Sequence, residues 1–208
     1  MKRILCLAVM ILACLSTPVV AATLQISDHL SLDYQVPEGW QTRSTAPDFL
    51  VRQTIEHVSM HLREAGKAIP ASLDSQVRER LANNELFIYH EQTRAHLDID
   101  FSPIDASETP PLRKTVAKSA EYAELELSSE PDITDLESHS GAYPLVGADY
   151  AYRIDASFKR DGVPQRFVGI IAFAGRHWLF LYYTDETLLD SDLQQLDELL
   201  KGLAVVAR

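Results

Sequence analysis

Cysteine is almost absent from this chain. Its 208 residues contain two cysteines, Cys6 and Cys14, which both lie near the N-terminus. The rest of the sequence has no thiol with which to form a disulfide, so its folded state must depend on a hydrophobic core. Residues 23–208 are numerous enough to bury one such core, and the sequence therefore predicts a single domain.

Positive charge is also scarce. Lysine and arginine number 19 against 30 aspartates and glutamates, which gives a formal net charge of −11 at pH 7. Nucleic acids and anionic lipid surfaces bind basic proteins, because neutralising phosphate charge supplies much of the affinity. The charge balance therefore argues against a nucleic-acid partner and against adsorption on a membrane surface.

Motifs that specify a reaction are missing as well. The sequence has no Gly-x-Ser-x-Gly elbow, no Ser-x-x-Lys pair and no glycine-rich phosphate loop. Ser138 and His139 are neighbours in "SHSG" and leave a hydrolase as a minor alternative. We therefore expect a protein that is not an enzyme, and no cofactor is predicted.

The N-terminal segment has the layout of a secretory signal. Lys2 and Arg3 precede the apolar residues 4–15, and small residues follow up to Ala22. A membrane-spanning helix needs about 20 apolar residues, and Pro18 interrupts the segment before that length. The pattern predicts a signal peptide over residues 1–22, cleaved after Ala22. Its removal takes away two basic residues and changes the net charge from −11 to −13.

A second processing route stays open. Residues 11–14, "ILAC", are similar to a bacterial lipobox, in which the thiol of Cys14 is acylated and becomes the new N-terminus. Lipidation would tether the protein to a membrane, whereas cleavage after Ala22 would release it. The expected location is therefore periplasmic or secreted, with a membrane-tethered lipoprotein as the alternative.

Hydrophobic periodicity predicts strands and helices in one α+β domain. Apolar residues alternate with polar ones in several segments, which is typical of strands with one buried face. Apolar residues recur at helical spacing over 47–65 and 109–127, and in two further helices that begin at 72 and at 190. The Asp-Gly pair of "RDGV" predicts a hairpin turn at 160–163. The strand segments are 30–36, two strands around a polar turn within 85–101, then 150–158, 166–175 and 177–185, with a short C-terminal strand in "LAVVA".

The order of these segments resembles that of a known fold family. "LDYQVPEGW", "LFIY", "AHLDIDF", a mid-chain helix and "FVGIIAFAGRHWLFLYYTD" before a leucine-rich helix are similar to the PsbP-like fold. That family includes a photosystem extrinsic protein and DcrB-type envelope lipoproteins. The resemblance implies an antiparallel β-sheet flanked by helices, an α/β/α sandwich. The helical insertion at about 47–83 is a departure of this sequence from the shortest members of that family. The resemblance also implies a binding or assembly role.

One set of side chains suits a divalent metal. His57, His61 and Glu64 are spaced so that all three project from one side of the predicted helix. Imidazole and carboxylate groups are ligands that zinc accepts. The same residues also suit the solvated flank of an amphipathic helix, so metal binding is one of two interpretations.

A second set suits a binding surface. His96, Asp98 and Asp100 share one face of a predicted strand. Trp40 and Trp178, with Tyr182 and Tyr183, offer aromatic surface, although adjacent Tyr182 and Tyr183 must point to opposite faces. We take Trp40, His96, Asp98, Asp100 and Trp178 as the candidate binding edge.

Two functions follow from these sets. The leading hypothesis is an exported envelope protein that acts as a non-enzymatic binding or assembly factor, with another envelope protein as its partner. The alternative is a small-ligand or divalent-metal module that uses the His57/His61 helix flank and the His96/Asp98/Asp100 strand face.

Overall fold

The computed structural model describes residues 20–208. The lipidation site at Cys14 and most of the predicted signal segment lie outside this range. The last three residues of that segment, Val20, Ala21 and Ala22, lie within it. These three residues belong to the first strand and pair with Val36, Gln35 and Tyr34. Cleavage after Ala22 would therefore cut within that strand and leave its second part in place.

The described residues form ten strands and four helices. The strands are β1 (Val20–Ser27), β2 (Leu30–Val36), β3 (Gln41–Arg43), β4 (Leu86–Tyr89), β5 (His96–Pro103), β6 (Ile133–Ala142), β7 (Tyr150–Arg160), β8 (Val163–Ala174), β9 (His177–Asp185) and β10 (Ala204–Ala207). The helices are α1 (Asp48–Glu64), α2 (Leu73–Leu81), α3 (Arg113–Ser129) and α4 (Asp190–Lys201). Within residues 20–208, no helix combines the length and the hydrophobicity needed to cross a bilayer.

Two antiparallel sheets organise the chain, where the sequence had predicted one. The small sheet has the order β1-β2-β10, and the large sheet has the order β3-β4-β5-β9-β8-β7-β6. The predicted hairpin is present: Asp161 and Gly162 have φ values of 52° and 79°, as a tight turn between β7 and β8 requires. The predicted α+β class with an antiparallel sheet and flanking helices is confirmed.

The main core lies between the two sheets. The inner face of the large sheet contacts α4 and the small sheet, and the buried residues there are almost all apolar. Helix α4 turns leucines toward this core at helical spacing, which explains why the chain is helical there. The core includes Leu32, Leu97, Ile99, Ile170, Leu179, Leu181, Leu196 and Leu199.

Helices α1, α2 and α3 lie on the outer face of the large sheet. Helix α3 packs through Val116 and Ala120 onto Ile154, Ile171 and Phe173. Helix α1 reaches the sheet through Phe49, which contacts Phe87 and Tyr89, and α2 packs against α1. Strands β5 and β9 lie between these two groups of helices, and the outward side chains of Asp98, Asp100, Trp178, Phe180 and Tyr182 are only half-buried.

Candidate functional site

The candidate site is a row of aromatic rings beside two carboxylates on the outer face of the large sheet. We call this set the outer strip and define it as Asp98, Asp100, Phe167, Trp178, Phe180 and Tyr182. All six side chains are half-buried. Strand alternation explains the row, because every second residue of β9 points outward while Leu179, Leu181 and Tyr183 point into the main core.

The rings of the outer strip form a continuous ladder. Trp178 and Phe180 have ring centroids 6.3 Å apart with planes inclined by 12°, and Phe180 and Tyr182 are also 6.3 Å apart. Phe167 of β8 extends the ladder, with its centroid 5.8 Å from that of Tyr182. The strip therefore offers several aromatic faces side by side.

The two carboxylates flank this ladder. The strand register places Asp98 opposite Tyr182 and Asp100 opposite Phe180. Asp98 Oδ1 is fully buried and has no hydrogen-bond partner among the described residues. A buried carboxylate oxygen without a partner is costly, so a donor from another molecule that reached it through a rearrangement of the strip would be stabilising.

The electrostatics of the strip reflect this burial. Burial raises the pKa of Asp98, and the nearby His96 lowers it to a smaller extent. Burial also raises the pKa of Asp100, and a hydrogen bond from the backbone N–H of Phe101 lowers it to a smaller extent. Burial, together with the charges of Asp100 and Glu126, raises the pKa of Tyr182 to about 12. The strip thus resists further negative charge and favours a positive group.

The structure places three of the five predicted binding-edge residues in the strip. These are Asp98, Asp100 and Trp178. His96 shares their face of the sheet but is buried under α1, with its ring centroid 5.9 Å from that of Phe49. Trp40 lies on the opposite side, where it stacks on Tyr183 at 6.4 Å and donates from Nε1 to Gln195 Oε1 at 2.7 Å.

The predicted metal-binding residues lie elsewhere on α1. Phe49 and His57 are eight positions apart, or about 12 Å along a helix, so the histidines are distant from His96. His57 Nδ1 is 3.0 Å from Asp161 Oδ2, and its Nε2 is 3.7 Å from Asp132 Oδ2. The two histidines therefore lie beside Asp132 and Asp161, which the hydrophobic periodicity of the sequence does not link to α1.

Ser138 and His139 are separated by strand geometry. Ser138 Oγ donates to Glu124 Oε1 at 2.6 Å, toward α3 on the outer face. His139 is the next residue of β6, so its side chain projects to the other face. The two groups do not face each other as a nucleophile and a base would.

Sequence reasoning missed several of these residues. Phe167 and Phe180 complete the ladder, and Asp132 and Asp161 complete the histidine cluster. The alternation in "HWLFLYYTD" already aligned Trp178, Phe180 and Tyr182, so part of the ladder was detectable. The aspartates were not detectable, because Asp132 and Asp161 follow His57 by 75 and 104 positions in the sequence.

Comparison with known proteins supports the fold. The chain is similar to LpqN, a protein involved in cell envelope biogenesis of Mycobacterium tuberculosis, at 12% identity over 91% of this chain and 92% of that chain, with a TM-score of 0.53. It is also similar to the cyanobacterial PsbP protein CyanoP from Synechocystis sp. PCC 6803, at 12% identity over 84% of this chain and 86% of that chain, with a TM-score of 0.48. No family model matches the chain, and no curated protein matches its sequence. What the LpqN structure shares with this chain is the fold.

Proposed function

We propose that this chain is an exported protein of the bacterial envelope that works by binding another envelope protein, without catalysis. Two observations support the location: the N-terminal segment has the layout of a secretory signal, and LpqN, which has a similar fold, is involved in cell envelope biogenesis. The outer strip is the binding surface in this proposal.

The buried, unpaired Oδ1 of Asp98 beside the aromatic ladder carries the proposal. Aromatic faces attract cations, and carboxylates accept hydrogen bonds from them. An arginine or lysine side chain satisfies both, because its apolar stem packs on rings while its head reaches a carboxylate. The partner is therefore a protein that presents a basic side chain on its surface.

The overall charge favours the same kind of partner. At a net charge of −11, the molecule attracts basic surfaces over distances of about one Debye length and speeds their encounter. Specificity would then come from the short-range fit of a cation between Asp98, Asp100 and the rings.

Photo-crosslinking in intact cells tests this proposal. A benzoylphenylalanine at Phe180 should capture one discrete envelope protein, because this ring is half-buried in the strip and faces the partner. The matched control carries the same group at Asp28, an exposed residue in the turn between β1 and β2. Adding Asp98→Asn to the Phe180 probe should reduce the adduct at least fivefold. Identical adducts at both positions, or a yield unaffected by Asp98→Asn, would contradict the proposal.

A further inference from the structure

Two histidines and two aspartates converge at the end of the β7–β8 hairpin, away from the outer strip. His57 and His61 occupy successive turns of α1, and their ring centroids are 4.5 Å apart. Asp161 belongs to the hairpin turn, and Asp132 lies between α3 and β6. One candidate ligand atom from each of the four residues lies within 4.8 Å of the other three.

The four residues bring one ligand atom each close enough to converge on one tetrahedral ion after side-chain rotation. Zinc binds imidazole nitrogen and carboxylate oxygen at about 2.0–2.2 Å, so neighbouring ligand atoms of a tetrahedron lie about 3.4 Å apart. Asp161 Oδ1 is 3.8 Å from His61 Nε2, and Asp161 Oδ2 is 3.0 Å from His57 Nδ1. Asp132 Oδ2 is 3.7 Å from His57 Nε2. Because Asp161 and Asp132 contact different nitrogens of the His57 ring, that ring must rotate so that a single nitrogen faces the ion.

Neighbouring groups already orient the ligands. Glu64 Oε2 is 3.4 Å from His61 Nδ1, which leaves His61 Nε2 to face Asp161. A carboxylate on the far nitrogen of a histidine is the usual support for a metal-binding imidazole. Glu64, which the sequence offered as a ligand, is therefore a positioning residue. Arg160 Nε is 3.0 Å from Asp132 Oδ2, so the ion would share that carboxylate with the charge of the arginine.

We propose that His57, His61, Asp132 and Asp161 form a binding site for one zinc ion. Two nitrogen and two oxygen donors favour zinc over magnesium and calcium, which prefer more numerous oxygen ligands. The histidine side chains are 34% and 37% exposed, so the ion can enter from solvent. This site goes beyond the proposed function, because none of its residues belongs to the outer strip.

The ion would fasten three segments that are distant in the sequence. Helix α1 contacts the sheet at its N-terminal end through Phe49, and zinc would add a second attachment near its C-terminal end. The hairpin and the α3–β6 connection are already joined by a hydrogen bond from Asp161 N–H to Asp132 O at 3.0 Å. Zinc would therefore attach α1 of the helical insertion to the β7–β8 hairpin turn and to the α3–β6 connection.

Titration of the metal-free protein with zinc alone tests the site. We expect one ion per chain at micromolar or tighter affinity, and a rise of about 5 °C in Tm at saturating zinc. His61→Ala and Asp161→Asn should each weaken binding at least tenfold, and Glu64→Gln should weaken it about tenfold, as removal of a supporting carboxylate does. Calorimetry gives the stoichiometry and the affinity.

The control variant is His139→Ala, which removes an exposed histidine outside the cluster and should leave zinc binding unchanged. Amide NMR of the unmodified protein provides a readout that needs no variant to fold, because zinc should shift resonances near residues 57–61, 132 and 161. Failure to bind zinc saturably would overturn the proposal. So would binding that His61→Ala and Asp161→Asn leave intact, because the ion would then lie elsewhere.

Discussion

At the scale of single residues, Asp98 combines a cost to the fold with an opportunity for binding. Its Oδ1 is buried without a hydrogen-bond partner among the described residues, and burial raises its pKa. Burying this carboxyl group therefore costs the free protein stability at neutral pH. Functional surfaces often carry such costs, since a bound partner relieves them.

The pH dependence of stability should reveal this cost. Because the pKa of Asp98 is raised above its ordinary value of 3.8, the folded protein holds that proton more tightly than the unfolded chain does. The contribution of Asp98 to the free energy of unfolding is then most favourable below pH 3.8 and falls as pH rises through the folded pKa. Asp98→Asn should therefore be more stable than the unmodified protein at pH 7, by about 1 kcal/mol, with a smaller difference near pH 4.

Denaturant unfolding at pH 4, 5.5 and 7 measures this difference. The matched control is Asp28→Asn, which removes an equal charge from an exposed turn and should change stability little at any of these pH values. A variant at Asp98 that is less stable than the unmodified protein at pH 7 would show that its carboxylate is satisfied in solution.

At the scale of elements, two glycines show how the small sheet is attached. Gly147 and Gly162 have nearly equal φ values of 77° and 79°. A Cβ at Gly162 would meet open space, whereas one at Gly147 would collide with the carbonyl oxygen of Val205 in β10. The backbone at Gly147 lies this close to Val205 because the N–H of Val205 donates a hydrogen bond to Val146 O at 2.8 Å.

Alanine substitutions should separate backbone strain from this collision. Gly162→Ala should cost about 1–2 kcal/mol, which is the strain of a left-handed conformation. Gly147→Ala should cost at least about 2 kcal/mol more, because β10 must move and its hydrogen bond with Val146 is lost. Thermal and denaturant unfolding of the two variants gives the comparison. Equal losses of stability in the two variants would mean that β10 moves away from a Cβ at position 147 without a measurable cost.

Elements with a clear period were predictable, and those without one were not. The spacing of apolar residues located α1 and α4, and Asp161-Gly162 located the hairpin, because these signals are local. Strand β6 lies in an acidic segment, residues 130–143, whose sequence is more typical of a loop. Its side chains are mostly exposed or half-buried, so no alternation marks it, and it forms because its backbone pairs with β7.

At the scale of the whole molecule, the arrangement of the sheets decides what the site contains. Periodicity does not reveal which strands pair, so the division into two sheets and the place of β9 beside β5 were not predictable. That pairing puts Asp98 and Asp100 next to the aromatic ladder and leaves Trp40 on the other face. Several residues of the candidate site were recognisable in the sequence. Which of them lie side by side depends on the strand pairing and could not be predicted from the sequence.

The proposed function places the decisive contact at Asp98 and Asp100. The most direct test is the Kd of the partner captured at Phe180, purified and titrated against the unmodified protein and the Asp98→Asn/Asp100→Asn double variant. We predict at least tenfold weaker binding by the double variant, because loss of one side of a buried charge pair costs about 2 kcal/mol or more. An Asp28→Asn/Asp33→Asn control removes the same charge from the small sheet and should bind nearly as well as the unmodified protein. Equal affinities of the two double variants would contradict the outer strip as the binding surface.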